Sequence, residues 1–318
     1  MNKQMLIIGI TVLSLVIVFS GCIQEKSSGI VIEGKGSYTS IQNAIDSASN
    51  GDTILVYNGT YHETLIIDKS INLVGSGDGE KIIDYNGNES NQSYIILITA
   101  DNCKIKGFKI INSYYSSNII APNIMGISIE SSNNVISTNT ILNTKKGVYI
   151  ERDSVNNNVL ENNISHNQYG INIEYSDSNN ISKNNIYLNS LYGIYIYSSD
   201  NNIVTDNIIS DGEYGIRIKG SENNEIFRNL IFNNQRGMYF CCGAHNNIMY
   251  YNAFEQNSEF NAYDSLSNQC NNGSVGNYWD DYTEKYPDAT ELDGIWNTPY
   301  DISGGNQDKY PLVKPVII

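Results

Sequence analysis

Gly126-Ile-Ser-Ile-Glu130, Gly147-Val-Tyr-Ile-Glu151, Gly170-Ile-Asn-Ile-Glu174, Gly193-Ile-Tyr-Ile-Tyr197, Gly215-Ile-Arg-Ile-Lys219 and Gly237-Met-Tyr-Phe-Cys241 are six versions of one segment, set 21, 23, 23, 22 and 22 residues apart. Their period-two alternation reads as a short strand. Behind each comes an Asn-Asn pair (the first is Asn133-Asn134, the last Asn246-Asn247), then a second apolar pair, then a further Asn at 139, 162, 184, 207, 229 and 252. A third apolar residue two places later closes the unit. A unit of about 22 residues with two or three such strands cannot bury its own apolar face, so it must stack on copies of itself. The fold expected is an all-β parallel β-helix, a solenoid with coils about 4.8 Å apart. Asn recurring at one turn position is expected to form an interior ladder, bonding its equivalent in the next coil and tolerating the left-handed backbone of a tight turn. The leucine-rich repeat shares the period and an Asn, but its Leu pattern is absent.

Composition agrees. The 318 residues include 47 Asn, 24 Tyr and 26 Gly, with 19 Lys and Arg against 34 Asp and Glu, a net charge of −15. An acidic chain of low charge density does not suit nucleic acid, whose phosphates require clustered cations. At the N-terminus Lys3 precedes an apolar run from Met5 to Phe19, too short for a comfortable span, and Ser20-Gly21-Cys22 follows. Residues 1–21 read as a signal peptide. Small residues ending in Cys resemble a lipoprotein lipobox, which implies lipidation of Cys22, a tether over 22–36 and a domain held at the outer face of the cytoplasmic membrane or the cell surface. Six Asn-x-Ser/Thr sequons, at Asn58, Asn88, Asn91, Asn163, Asn180 and Asn272, fit an exported chain.

A solenoid exposes sheet edges at both ends and needs covers. Residues 38–56 read as an amphipathic helix, a Gly turn and a first strand, the N-terminal cap. The β-helix is assigned to 37–270, with a loop protruding between Ser113 and Met125, and an irregular C-terminal capping tail to 271–318. Segment 38–75 resembles the right-handed β-helix superfamily that includes pectate lyases and pectin methylesterases, and the coils 126–254 are similar to its carbohydrate-binding and sugar-hydrolase repeats. The tail, with Gly276-Asn-Tyr-Trp-Asp-Asp-Tyr282, Asp293-Gly-Ile-Trp-Asn-Thr-Pro-Tyr300 and Asp308-Lys-Tyr-Pro-Leu312, resembles the NosD-like surface proteins common in methanogenic archaea. These resemblances imply a right-handed coil. NosD itself is regarded as a maturation factor for copper sites, so copper handling is the alternative function they imply.

Along each strand the residues after Gly alternate. Ile127 and Ile129, Val148 and Ile150, and their equivalents through Met238 and Phe240 are expected inside. Ser128, Tyr149, Asn172, Tyr195, Arg217 and Tyr239 form one outward column, and Glu130, Glu151, Glu174, Tyr197, Lys219 and Cys241 a second. Lys146, Tyr169, Tyr192, Tyr214 and Arg236 form a third, just before each Gly. Aromatic planes beside hydrogen-bonding groups suit sugar rings, so Tyr149, Glu151, Glu174, Tyr195, Tyr197 and Arg217 are the candidate glycan site, although stacked Tyr residues also serve as cross-coil ladders. The three stacked Glu residues are expected to relieve their repulsion by taking up a proton or a bridging Ca²⁺. Glu151 and Glu174 are the candidate acid and base if the chain is a polysaccharide lyase or hydrolase. Arg217-Ile-Lys219 reads as a by-product of the repeat. Cys241, Cys242 and His245, with Met238 and Met249 nearby, are the soft donors that would hold copper. Cys270 lies just over one coil later, and a bridge to it from Cys241 or Cys242, assigned to Cys242, is expected of exported thiols. Asp288 and Asp293, with Asp280, Asp281 and Glu291, are oxygen donors for Ca²⁺ in the tail. Recognition of a polysaccharide or cell-surface glycan, without catalysis, is the function expected.

Overall fold

The computed structural model describes residues 29–87, 93–114, 123–266 and 268–316. The signal segment, Cys22 and the sequons at Asn88 and Asn91 lie outside the described residues. The chain winds as a right-handed parallel β-helix, each coil giving one short strand to each of three sheets of 11, 10 and 9 strands. One turn runs from Lys146–Ile150 through Asn158–Leu160 and Asn163–Ser165 to Tyr169–Glu174. Register in the third sheet is continuous from Val148 through Ile171, Ile194 and Ile216 to Met238. All twelve residues expected inside, Ile127 to Phe240, are 0% exposed.

The corners explain the composition. Each central coil turns at four residues with left-handed backbone, for example Tyr175, Ser178, Lys183 and Leu188, at φ between 53° and 60°. Such a conformation opposes an L residue by about 1 kcal/mol or more. What holds it is the buried residue that follows. Asn184 Oδ1 accepts from Asn162 N and Nδ2, both at 3.0 Å, while its own Nδ2 donates to Val159 O at 2.8 Å, Ser182 O at 3.0 Å and Asn207 Oδ1 at 3.0 Å. The ladder residue is therefore the Asn directly after the left-handed corner, the second of the pair in Asn133-Asn134 and Asn246-Asn247 but the first in Asn157-Asn158 and Asn179-Asn180. The left-handed residue precedes it and need not be Asn, which corrects the expectation that one residue does both. A third ladder, at Asn167, Asn189, Asn234 and Asn257, was not anticipated. The repeated Gly answers to close approach: a Cβ on Gly170 would lie 2.5 Å from Gly193 O and 2.7 Å from Ile186 Cγ2.

Both ends are sealed. Ile30–Ile32 pairs antiparallel with Gly36–Tyr38 and with Thr53–Val56, so residues 30–36 belong to the N-terminal cap and not to a tether. The expected helix is Ile41–Ser47; Ser40 accepts from Asn43 N, and Ile41, Ala44 and Ile45 close the core. At the other end Tyr278–Trp279 adds a parallel strand to Ala253–Glu255, carrying the stack past residue 270. Trp279 lies flat between Phe254 and Tyr300, with centroids at 4.7 and 4.2 Å. Each ladder then ends on a carboxylate. Asn268 donates N and Nδ2 to Asp264 at 2.9 and 3.0 Å, Asn277 N donates to Asp308 at 2.7 Å, and Asn257 reaches Asp280 through Asn261 at 3.0 and 3.0 Å.

Replacing Asn184 with Leu strands two donors of Asn162 and two carbonyls, and is expected to cost on the order of 3 kcal/mol, measured as a fall in denaturant midpoint. An unchanged midpoint would contradict the ladder. Burial pushes the Asp308 carboxyl up to about 6 against the four N–H groups that favour its ionised form. The folded chain thus holds this proton more tightly than the unfolded chain. The resulting stability is complete below the ordinary carboxylate value and is lost as the pH rises through about 6, a change on the order of 3 kcal/mol. Asp308→Asn should flatten the stability slope between pH 4 and 6; equal slopes in the two proteins would refute this.

Candidate functional site

The third sheet presents the face expected to carry function. Its outward residues are in register across coils: Tyr149 beside Asn172, Asn172 beside Tyr195, Tyr195 beside Arg217 and Arg217 beside Tyr239. Glu174, Tyr197, Lys219 and Cys241 form the next column. Ser128 and Asn172, the short members, are fully covered by their long neighbours.

The carboxylates are tied down by groups on the face. Glu174 Oε2 accepts from Tyr149 OH at 2.7 Å, and Oε1 accepts from Asn172 Nδ2 at 3.0 Å and pairs with Lys146 Nζ at 3.5 Å. Burial acts to raise its pKa, but the bonds from Asn172, Tyr149 and Lys146 outweigh it and hold the carboxyl below the usual range. Burial and the Glu174 hydrogen bond push the Tyr149 phenol far up. Glu151 accepts from Ser128 Oγ. Glu130, at the exposed end, is raised by partial burial and then by Glu151. The stacked charges are thus relieved mainly by Lys146 and by hydroxyl and amide donors. Lys146 belongs to the column before Gly and was left out of the candidate set.

Further along, the rings close on one another. Tyr192 stacks on Tyr195 at 4.8 Å, Tyr195 on Tyr197 at 6.2 Å, and Tyr192, Tyr214, Tyr239 and Tyr263 continue the chain at 5.2, 5.8 and 5.0 Å. Arg217 sits among four of them, its guanidinium carbon 5.5, 6.0, 5.4 and 5.5 Å from the rings of Tyr192, Tyr195, Tyr214 and Tyr239. It donates to Tyr192 OH and, at 3.6 Å, to Cys241 Sγ. Tyr195, Tyr197 and Arg217 are therefore brought together, and Tyr149, Glu151 and Glu174 form a separate cluster beside them. Tyr192 and Tyr214 were missed as members because the residue before Gly was not weighed with the strand it begins, and Tyr239, in the outward column itself, was left out of the candidate set.

A family profile described as periplasmic copper-binding protein (NosD) matches residues 45–284. The chain belongs to that family. No curated protein matches it. Among solved structures, tailspike protein 2 of an Escherichia coli O157:H7 bacteriophage is similar, with TM-score 0.56 and 12% identity over 72% of this chain and 34% of that one. A pectate lyase (0.51, 16%, 76% and 69%) and the Dettilon tailspike protein (0.51, 13%, 71% and 59%) are similar too. This NosD-family chain spans about a third of the first tailspike's length. At such identities the likeness is one of fold.

The family description makes copper the first metal to test, and the residues present do not fit it. Met238 and Met249 are fully buried core. Cys241 is turned to Arg217, Cys242 is exposed on a left-handed corner, and exposed His245 pairs with Glu222 at 3.4 Å. Among the described residues no three His, Cys, Asp or Glu side chains gather as a metal set. The expected tail site fails as well: Asp280 and Asp281 accept from the end of a ladder, and Asp288 and Asp293 are exposed and apart from them. Nor does Cys242 bridge to Cys270. Gln269 pairs with Ile248 in the first sheet, which puts buried Cys270 on a different side of the coil from Cys242, and all four described cysteines are free.

The Lys146–Glu174 pair, with side chains 14% and 24% exposed, is expected to give a coupling energy of about 1 kcal/mol in a Lys146→Met, Glu174→Gln double-mutant cycle. Because the Glu174 pKa is lowered, the coupling should be present above the ordinary carboxylate value and be lost as the pH falls through the lowered one. Zero coupling at neutral pH would show the pair to be incidental.

Proposed function

We propose that this NosD-family β-helix is an exported surface protein that recognises polysaccharide or glycan without cleaving it, anchored through lipid on Cys22. The observation that carries the reading is the continuous face of tyrosines around Arg217, spread over four successive coils. An extended polymer laid along a solenoid meets equivalent positions about every 4.8 Å, and half-buried rings with hydroxyl edges match the apolar faces and polar rims of sugars. The β-helices it resembles in fold include a pectate lyase. Catalysis by Glu151 and Glu174 is not supported, because a glycosidase acid needs a raised pKa and Glu174 is held low by three donors.

The full-length protein, screened against a polysaccharide panel, should bind at least one member saturably without releasing products. Tyr197→Ala should weaken that binding about tenfold while leaving melting nearly unchanged. An empty panel would refute recognition, and steady release of oligosaccharide would refute the non-catalytic part.

A further inference from the structure

Arg217 and Lys219 point outward from one strand of a chain whose net charge is −15, yet neither pairs with a carboxylate among the described residues. Two other cations of this face are neutralised, Lys146 by Glu174 and Arg236 by Glu213 at 2.9 Å and Glu259 at 2.7 Å, while Arg152 at its edge lies over the Tyr175 ring. Of the five N–H donors of a guanidinium, Arg217 commits one to Tyr192 OH and one to Cys241 Sγ, and its Nε–H is buried without any partner. A desolvated, unpaired Nε–H on a cation is costly, and the second N–H of each terminal nitrogen, uncommitted among the described residues, is what a ligand oxygen can meet. Among the described residues the Lys219 ammonium has the Tyr197 ring, its Nζ 4.9 Å from the centroid, and no ion pair. Tyr rings at about 5.5 Å on the sides of Arg217 hold the guanidinium in place but cannot neutralise it.

We propose that Arg217 and Lys219 form an anion subsite for a negatively charged sugar unit, carboxylate or sulfate ester. The inference rests on the glycan reading and narrows it to acidic polymers. It also replaces the expectation of a cation bridged by the Glu column, since here the anion meets fixed cations directly. The glutamates lie at the other end of the face, with Glu174 two coils before Lys219 in the same column, about 10 Å away at the spacing of stacked strands.

The test uses the full-length protein with four probes: polygalacturonate, its fully methyl-esterified form, dextran sulfate and dextran. Binding to polygalacturonate or dextran sulfate is expected to persist in chelator and to exceed that to the matching neutral polymer at least tenfold. Preference between the two anionic probes distinguishes carboxylate from sulfate. Arg217→Gln should lower acidic-polymer affinity about tenfold or more, and Lys219→Gln, which removes a ring contact from the fold, about threefold. Equal binding of charged and neutral polymers, loss of binding in chelator, or unchanged affinity in a folded Lys219→Gln together with Arg217→Gln overturns the subsite while leaving glycan recognition standing. If none of the four binds but a neutral member of the wider panel does, the subsite alone falls; if the panel is empty too, both fall.

Discussion

The asparagine ladder is the constraint from which the other features follow. A coil of 22 or 23 residues must turn three times, and each turn leaves backbone groups facing inward, away from water. A buried amide has two donors and an oxygen that accepts twice, in one plane. Asn229 shows the use of all of it: the two N–H of Nδ2, one of them shared, serve Phe227 O in its own coil, Val204 O one coil before and Asn252 Oδ1 one coil after, and Oδ1 takes Asn207 N and Nδ2. Ser at such a place is too short to make so many bonds, and Asp lacks the donors. Because every rung donates toward the C-terminus, the last one needs an acceptor with nothing to donate. Asp264, Asp308 and Asp280 fill those places, which gives the acidic C-terminal cap a structural purpose.

Strict register also decides what the face can be. Residues in equivalent positions line up as columns, so chemistry is set by which side chains happen to share a column or touch across two. Like charges stacked in a column repel unless a neighbouring column supplies relief. Lys146 does so diagonally for Glu174, one coil before it, with Tyr149 and Asn172 completing the shell. On later coils the tyrosines supply no carboxylate, and Arg217 and Lys219 are left with π faces and unmet donors.

Period and composition made the coil legible, and the alternation after each Gly named the buried positions because an inward slot tolerates only apolar volume. The third ladder was hidden because its column is broken: Thr144 and Gly212 stand where Asn recurs elsewhere, and the residues before it, from Asn143 through His166 to Leu188, share no chemistry. The hairpin at 30–38 went unread since a three-residue strand carries too little pattern. Asp280 and Asp281 looked like cation ligands because their partner Asn261, which relays the ladder from Asn257, is set beside them only by the fold. The site was half legible for a related reason. Columns follow from register, but the reach of Lys146 across two columns and the desolvation of the Arg217 Nε depend on side-chain paths that no spacing encodes.

A cationic spot on a chain this acidic has consequences for how an acidic polymer would arrive. The net charge of −15 opposes approach from a distance, so steering contributes nothing and association is slow unless salt is present. At physiological ionic strength fields decay over about 8 Å, less than the roughly 10 Å separating Lys219 from Glu174 in their column. Where they are wet, the two ends of the face are therefore largely screened from one another. Added salt then acts in opposite directions on the two stages. It hastens encounter by screening the whole molecule and loosens the bound state only where Lys219 is wet, since Arg217 lies between rings that exclude solvent from its Nε. Affinity held mainly in the dissociation rate is the outcome this geometry favours, which suits a surface protein that must retain a long chain and not merely meet it.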